Sequence, residues 1–165
     1  MKKVLKIGLI FIMLFTINLF AKNSTQVTKV VVKKSQKVLL LMNKNRVIKK
    51  FHIVMGANPK GHKQKEGDEK TPEGRYILDY KNPNSKFYKS IHISYPNKKD
   101  IKRAKRLKVN PGGAIFIHGQ KNGWGWLYFI SKYFNWTDGC IALSNKEMDF
   151  IYKNVKVGTP IEIKP

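Results

Sequence analysis

A single cysteine, Cys140, stands in a chain of 165 residues. The chain therefore cannot close an internal disulfide, and a small disulfide-stapled fold is excluded. A lone thiol in an oxidising compartment is either buried as a small apolar side chain or used for chemistry, and the count alone leaves both readings open. Paired cysteines and the H-E-x-x-H pattern are also missing, and the four histidines are scattered, so no metal site is expected. Acidic residues are few, ten against 33 lysines and arginines, for a net charge of +23. Such a surface attracts polyanions. Arginine, the better bidentate phosphate ligand, occurs only at Arg46, Arg75, Arg103 and Arg106. The excess is lysine, which is weak evidence for a dedicated polyanion groove; an export signal at the start of the chain makes anionic wall or lipid polymers more accessible partners than nucleic acid, which is not expected.

Long hydrophobic runs are lacking except at the start. Lys2, Lys3 and Lys6 precede an apolar stretch from Ile7 to Phe20, followed by Ala21. The stretch is shorter than the roughly 20 apolar residues of a spanning helix, and it has the order of an export signal. Residues 1–21 are read as a signal peptide or an N-terminal anchor, which places the remainder in the periplasm or cell envelope. No later stretch has a linker's composition and no solenoid-like repeat is present, so residues 27–165 are expected to form one domain.

That domain is rich in strand signals. Val27–Lys34, Lys37–Met42, Val47–Val54, Arg75–Tyr80, Ser90–Tyr95, Ala114–Ile117 and Pro160–Ile163 carry the β-branched or alternating pattern of strands. Residues 55–74 form a long Gly- and Pro-punctuated loop of the kind that serves binding sites. Lys98–Lys108 reads as a short basic helix with Ile101, Ala104 and Leu107 on one side. Ser144 and Glu147 form a capping box ahead of a helix that buries Met148, Ile151, Tyr152 and Val155. The aromatic segment from Gly123 to Trp136 is expected to pack mostly into the core. Strands outnumber helices, so the fold is mainly β, a sandwich or barrel with a few peripheral helices.

Cys140 follows Gly139 and precedes the capped helix. A glycine there lets the backbone turn tightly and lets a carbonyl approach nearby N–H groups, as an oxyanion hole requires. The thiol needs a base, because an unperturbed cysteine is only a few per cent thiolate near neutrality. His118 is the best candidate: it ends an apolar strand and precedes Gly119. His52 and His92 lie on strands, where structural roles are commoner, and His62 lies in the charged loop. Pairing with an imidazolium would hold the thiol below its ordinary value of about 8.5.

Three motifs together, Ile117-His118-Gly119, Gly139-Cys140 and Thr71-Pro72-Glu73-Gly74-Arg75-Tyr76, resemble the L,D-transpeptidase catalytic-domain family from about Val27 to Ile163. The segments Gly56–Asp68 and Ser90–Pro96 resemble a Gram-negative, murein-acting branch of it. The resemblance implies that Cys140 attacks a peptidoglycan stem peptide at its third residue and expels the terminal D-alanine. It implies that His118 is the base, that the Gly119 carbonyl orients it, and that the N–H groups of Gly139 and Cys140 bind the oxyanion. It implies no cofactor. His92, Arg75, Trp124, Thr137 and Asp138 are the substrate-binding candidates. Two positions depart from the family pattern: Asp138 stands where a histidine is common, and Ala142 where an arginine is common. Arg75 or Lys63 could replace that arginine as the cation for a substrate carboxylate. An L,D-carboxypeptidase or hydrolase using the same pair, and a non-enzymatic basic wall-polymer binder, are the alternatives.

Overall fold

The computed structural model describes residues 26–165; the export-signal expectation for residues 1–21 lies outside them. Eight strands form one sheet in the order β3-β2-β1-β8-β4-β5-β6-β7. They are β1 Lys29–Lys33, β2 Val38–Asn43, β3 Arg46–His52, β4 Gly74–Ser85, β5 Tyr88–Ile93, β6 Phe116–His118, β7 Ile141–Ala142 and β8 Thr159–Lys164. The first three form an antiparallel meander, and β8 returns to lie parallel to β1 and antiparallel to β4.

The sheet curls until its two edges meet. Just past β3, the Val54 N–H donates to the Ala142 carbonyl at 3.0 Å, and the Ala142 N–H donates back at 2.9 Å. This isolated bridge ties the ends of the curled sheet together and helps enclose the core. Val30, Val32, Leu39, Leu41, Ile91, Ile93, Ile117 and Ile141 fill it from the strands. Pro160 is tolerated within β8 because it pairs only with Ile77 of β4; pairing with β1 begins one residue later, so its missing N–H leaves no ladder bond unmade.

Three helices decorate the sheet: α1 Lys98–Leu107, the single-turn α2 Tyr128–Ser131, and α3 Asn145–Asn154. The Ser144–Glu147 capping box is present at α3, which buries Met148 and Ile151. Helix α1 has its own box, Asn97 with Asp100, which sequence reasoning missed. Its buried residues are Asp100 and Ala104, whereas Ile101 and Leu107 are exposed. Asp100 is buried because it is fully engaged: it accepts from the Asn97 N–H, Tyr76 Oη and Arg103, and lies 3.1 Å from His62 Nε2. Tyr76 is correspondingly hard to ionise, since burial and the Asp100 carboxylate both push its phenol upward.

Strand β4 runs five residues beyond the expected Tyr80, through Lys81-Asn82-Pro83-Asn84-Ser85, whose composition suggests a turn. Register shifts against β5, one between Leu78 and Lys81 and one within the stretch between Asn82 and Ser85, absorb it as bulges. The long loop after Met55 is ordered by two buried lysines. Lys34 Nζ donates to Gly61 O at 2.6 Å, Thr71 O at 3.0 Å and Glu73 Oε1 at 2.8 Å, which uses all three of its protons. Lys63 Nζ donates to Asp68 Oδ1 at 2.8 Å, and Asp68 also accepts from the N–H groups of Gln64, Lys65 and Lys70. These bonds hold the Asp68 carboxyl below the ordinary carboxylate range although burial pushes the other way.

Candidate active site

Strands β6 and β7 run parallel with Ile117 opposite Ile141 and His118 opposite Ala142. By the two-residue period of a strand, Ile117 and Ile141 point into the core, and His118 shares the opposite face with the position of Cys140. Both side chains line one cleft of about 740 Å³, whose walls include Lys63, Phe87, Ala114, Phe116, Trp136 and Asp138.

His118 is 4% exposed. Its ring sits beside Phe87, with centroids 4.7 Å apart, and beside Trp136 at 6.0 Å. Its Nδ1 lies 2.6 Å from the Gly119 carbonyl oxygen. A carbonyl only accepts, so Nδ1 carries the proton and Nε2 keeps its lone pair. Burial holds the imidazole down to about 4, the Gly119 bond opposing only in part, so the ring is a neutral base near pH 7.

Cys140 is half-buried, its Sγ 3.6 Å from the Ala114 carbonyl. Burial pushes the thiol up, and Asp138 adds to the shift; the Phe116 N–H and Lys63 oppose it. This corrects the expectation of a thiol held below its ordinary value. In the resting cleft both partners are neutral, because a desolvated site disfavours a standing thiolate–imidazolium pair. The Phe116 N–H, which favours the anionic sulfur, and the Ala114 carbonyl belong to the backbone and leave no side-chain signal in the sequence. Ala114 holds φ at +53°, a left-handed conformation uncommon for alanine.

Gly139 has φ +116°, and a Cβ on it would lie 2.5 Å from the Lys70 carbonyl oxygen. Only glycine fits this turn. Its N–H meets Thr137 Oγ1 at 3.3 Å, and Thr137 Oγ1 in turn donates to the Cys140 carbonyl at 2.7 Å. Thr137 thus shapes the turn that presents the thiol.

Other sequence candidates lie elsewhere. Arg75 is on β4 with its side chain 87% exposed, 3.5 Å from Glu162, and does not line the cleft. His92 is taken up by Asp79 at 2.7 Å and stacks on Tyr80; it touches the cleft wall only through Phe116. Trp124 is exposed and outside the cleft. The core expectation for the aromatic segment is also overturned, since Trp124, Trp126, Phe129, Tyr133 and Phe134 are all exposed. Asp138 and Lys63 do line the cleft, and Lys63 is the buried cation there. Among the described residues no three His, Cys, Asp or Glu side chains group as a metal site would require.

The fold and the cleft define a class: a closed, mainly β domain that brings a half-buried thiol and a neutral, backbone-oriented imidazole to one concave surface. The chain belongs to the YkuD family, the L,D-transpeptidase catalytic domain, which it matches over residues 27–163. It is 33% identical over 97 residues to YafK of Escherichia coli K12, a match covering 58% of this chain and 32% of YafK. The crystal structure of the helical cell shape determining protein Pgp2 from Campylobacter jejuni superposes with a TM-score of 0.61 at 28% identity, covering 84% of this chain and 48% of Pgp2. An L,D-transpeptidase from Mycobacterium smegmatis shares the fold, with a TM-score of 0.54 at 17% identity over 82% of this chain and 58% of that one. The chain thus spans about a third of YafK and about half of Pgp2.

Proposed function

We propose that the protein is an exported L,D-transpeptidase that acts on peptidoglycan stem peptides through an acyl-enzyme on Cys140. The observation that carries this reading is the shared cleft of Cys140 and His118, with the His118 Nδ1 proton committed to the Gly119 carbonyl, which leaves Nε2 its lone pair. As Sγ attacks the stem carbonyl, its proton passes to Nε2 and a tetrahedral oxyanion forms. Backbone N–H groups at Gly139 and Cys140 stabilise that charge. Collapse of the intermediate breaks the C–N bond, and His118 returns the proton to the departing amine of D-alanine. An acceptor amine, or water, then attacks the thioester with His118 again taking the proton, and the thiol is restored.

A neutral resting pair suits this sequence, since the base must be unprotonated when attack begins. Two lysines line the cleft, Lys63, already paired with Asp68, and the exposed Lys86, and they are the candidates to meet a substrate carboxylate in place of the arginine that Ala142 replaces. The test is incubation of the purified full chain with tetrapeptide muropeptides, followed by product separation. Cross-linked dimers with loss of D-alanine are expected, and tripeptides accumulate where water is the acceptor. Unchanged tetrapeptides would overturn the proposal.

A further inference from the structure

The segment that joins His118 to Cys140 turns its apolar side outward. Trp126, Phe129, Ile130, Tyr133 and Phe134 are 67%, 57%, 48%, 67% and 63% exposed. They recur at i, i+3, i+4, i+7 and i+8, the spacing by which a helical segment gathers an apolar face for burial. Here that face looks into solvent, while Leu127, Tyr128, Ser131 and Lys132 on the other side are partly buried. Trp124, 53% exposed, extends the patch. A contiguous apolar surface of this kind marks a docking site.

Charge says what docks. No Asp or Glu occurs between Asp100 and Asp138. Lys121 Nζ lies 6.0 Å from the Trp124 ring centroid, and Lys132 Nζ lies 5.0 Å from that of Tyr133. The acid that reaches the segment, Glu147, is occupied by Ser144 and Tyr128. Aromatic rings with Phe and Ile between flanking lysines fit a bilayer interface: Trp and Tyr sit at headgroup level, apolar rings enter the acyl boundary, and ammonium groups meet phosphates. A glycan would need directed polar partners around the rings, which Phe129, Ile130 and Phe134 cannot supply. A second copy would bring the same lysines face to face in a chain of net charge +23.

We propose that this face docks the domain on a bilayer bearing anionic phospholipid headgroups, holding the cleft beside the lipid surface. The proposal is independent of the reaction assigned to the cleft.

Its test uses the full chain and vesicles of phosphatidylcholine with or without phosphatidylglycerol. Trp124, Trp126 and Trp136 are the chain's only tryptophans. Their quenching by brominated acyl chains therefore reports this segment and not the apolar residues near the N-terminus. The expected result is quenching that requires phosphatidylglycerol. Binding should fall at least about tenfold in Phe129→Ser/Tyr133→Ser/Phe134→Ser, which keeps every tryptophan. It should fall by about tenfold in Lys121→Gln/Lys132→Gln, but little in the equally discharged Lys49→Gln/Lys50→Gln on β3. Circular dichroism and melting of each variant check that it is folded. Unquenched tryptophans, or equal losses in the two lysine pairs, would overturn the proposal. So would self-association that the triple serine variant abolishes in the absence of vesicle binding.

Discussion

The burial of His118 predicts a specific acid weakness. An imidazole in the unfolded chain titrates at 6.5, and in the cleft it is held down to about 4. Above pH 6.5 both states leave it neutral and folding bears no proton penalty. As pH falls below 6.5 the unfolded chain binds a proton that the folded cleft refuses, so stability is lost progressively until about pH 4. At about 1.4 kcal/mol per unit, the 2.5 units between 6.5 and 4 correspond to about 3.5 kcal/mol in full, of which about 3 kcal/mol is lost by pH 4, where the folded ring is half protonated. The perturbation is His118→Gln, which removes the titrating group and keeps an amide able to donate to the Gly119 carbonyl. Urea unfolding at pH 7 and pH 4 gives the acid loss for each chain. His52 and His62, also lowered by burial, and all carboxylates remain in both chains and cancel in the comparison. The variant should lose about 3 kcal/mol less than the wild type. Equal losses would mean that the ring is solvated or already charged when folded, and the neutral-base reading would fall.

The remaining predictions concern the frame of the cleft and its thiol. Gly139→Ala must accommodate a Cβ 2.5 Å from a backbone oxygen at φ +116°, and thermal unfolding should show a loss of about 2–4 kcal/mol; an unchanged Tm would contradict the placement of this turn. Lys34→Met leaves two carbonyls and the Glu73 carboxylate without their buried donor and should cost about 3 kcal/mol in urea unfolding, with the loop after Met55 becoming open to proteolysis. Iodoacetamide alkylation of Cys140 against pH should have its midpoint above that of an ordinary thiol, and His118→Gln should not raise it further. A midpoint below the ordinary value, raised by that substitution, would restore the ion-pair picture.

The strand pattern, the α3 capping box and the two residues that come to share the cleft were legible because each is local: alternation, a Ser followed by Glu three positions on, and a glycine beside each of Cys140 and His118. What the sequence hid depends on distant partners. Lys34 looks like one more lysine in a lysine-rich chain, and Lys63 like a free cation, until the loop folds over them and their protons meet carbonyls and carboxylates. Arg75 and His92 lie on strands that pass near the cleft, but Glu162 and Asp79 hold their side chains elsewhere. The aromatic segment has the composition of a core and the periodicity of a buried helix face. Only the three-dimensional arrangement reveals that the core is already closed without it. The state of the thiol was misread for a similar reason: proximity to a histidine suggests an ion pair, but burial of both groups favours their neutral forms.

The central claim is that Cys140 carries the acyl group. Brief incubation of the full chain with a tetrapeptide muropeptide, acid quenching and intact-mass measurement tests it most directly. The expected result is an adduct on Cys140 equal to the substrate less D-alanine, with matching D-alanine release, and neither in Cys140→Ala. Release of D-alanine by Cys140→Ala at the wild-type rate, with no adduct in either chain, would contradict it.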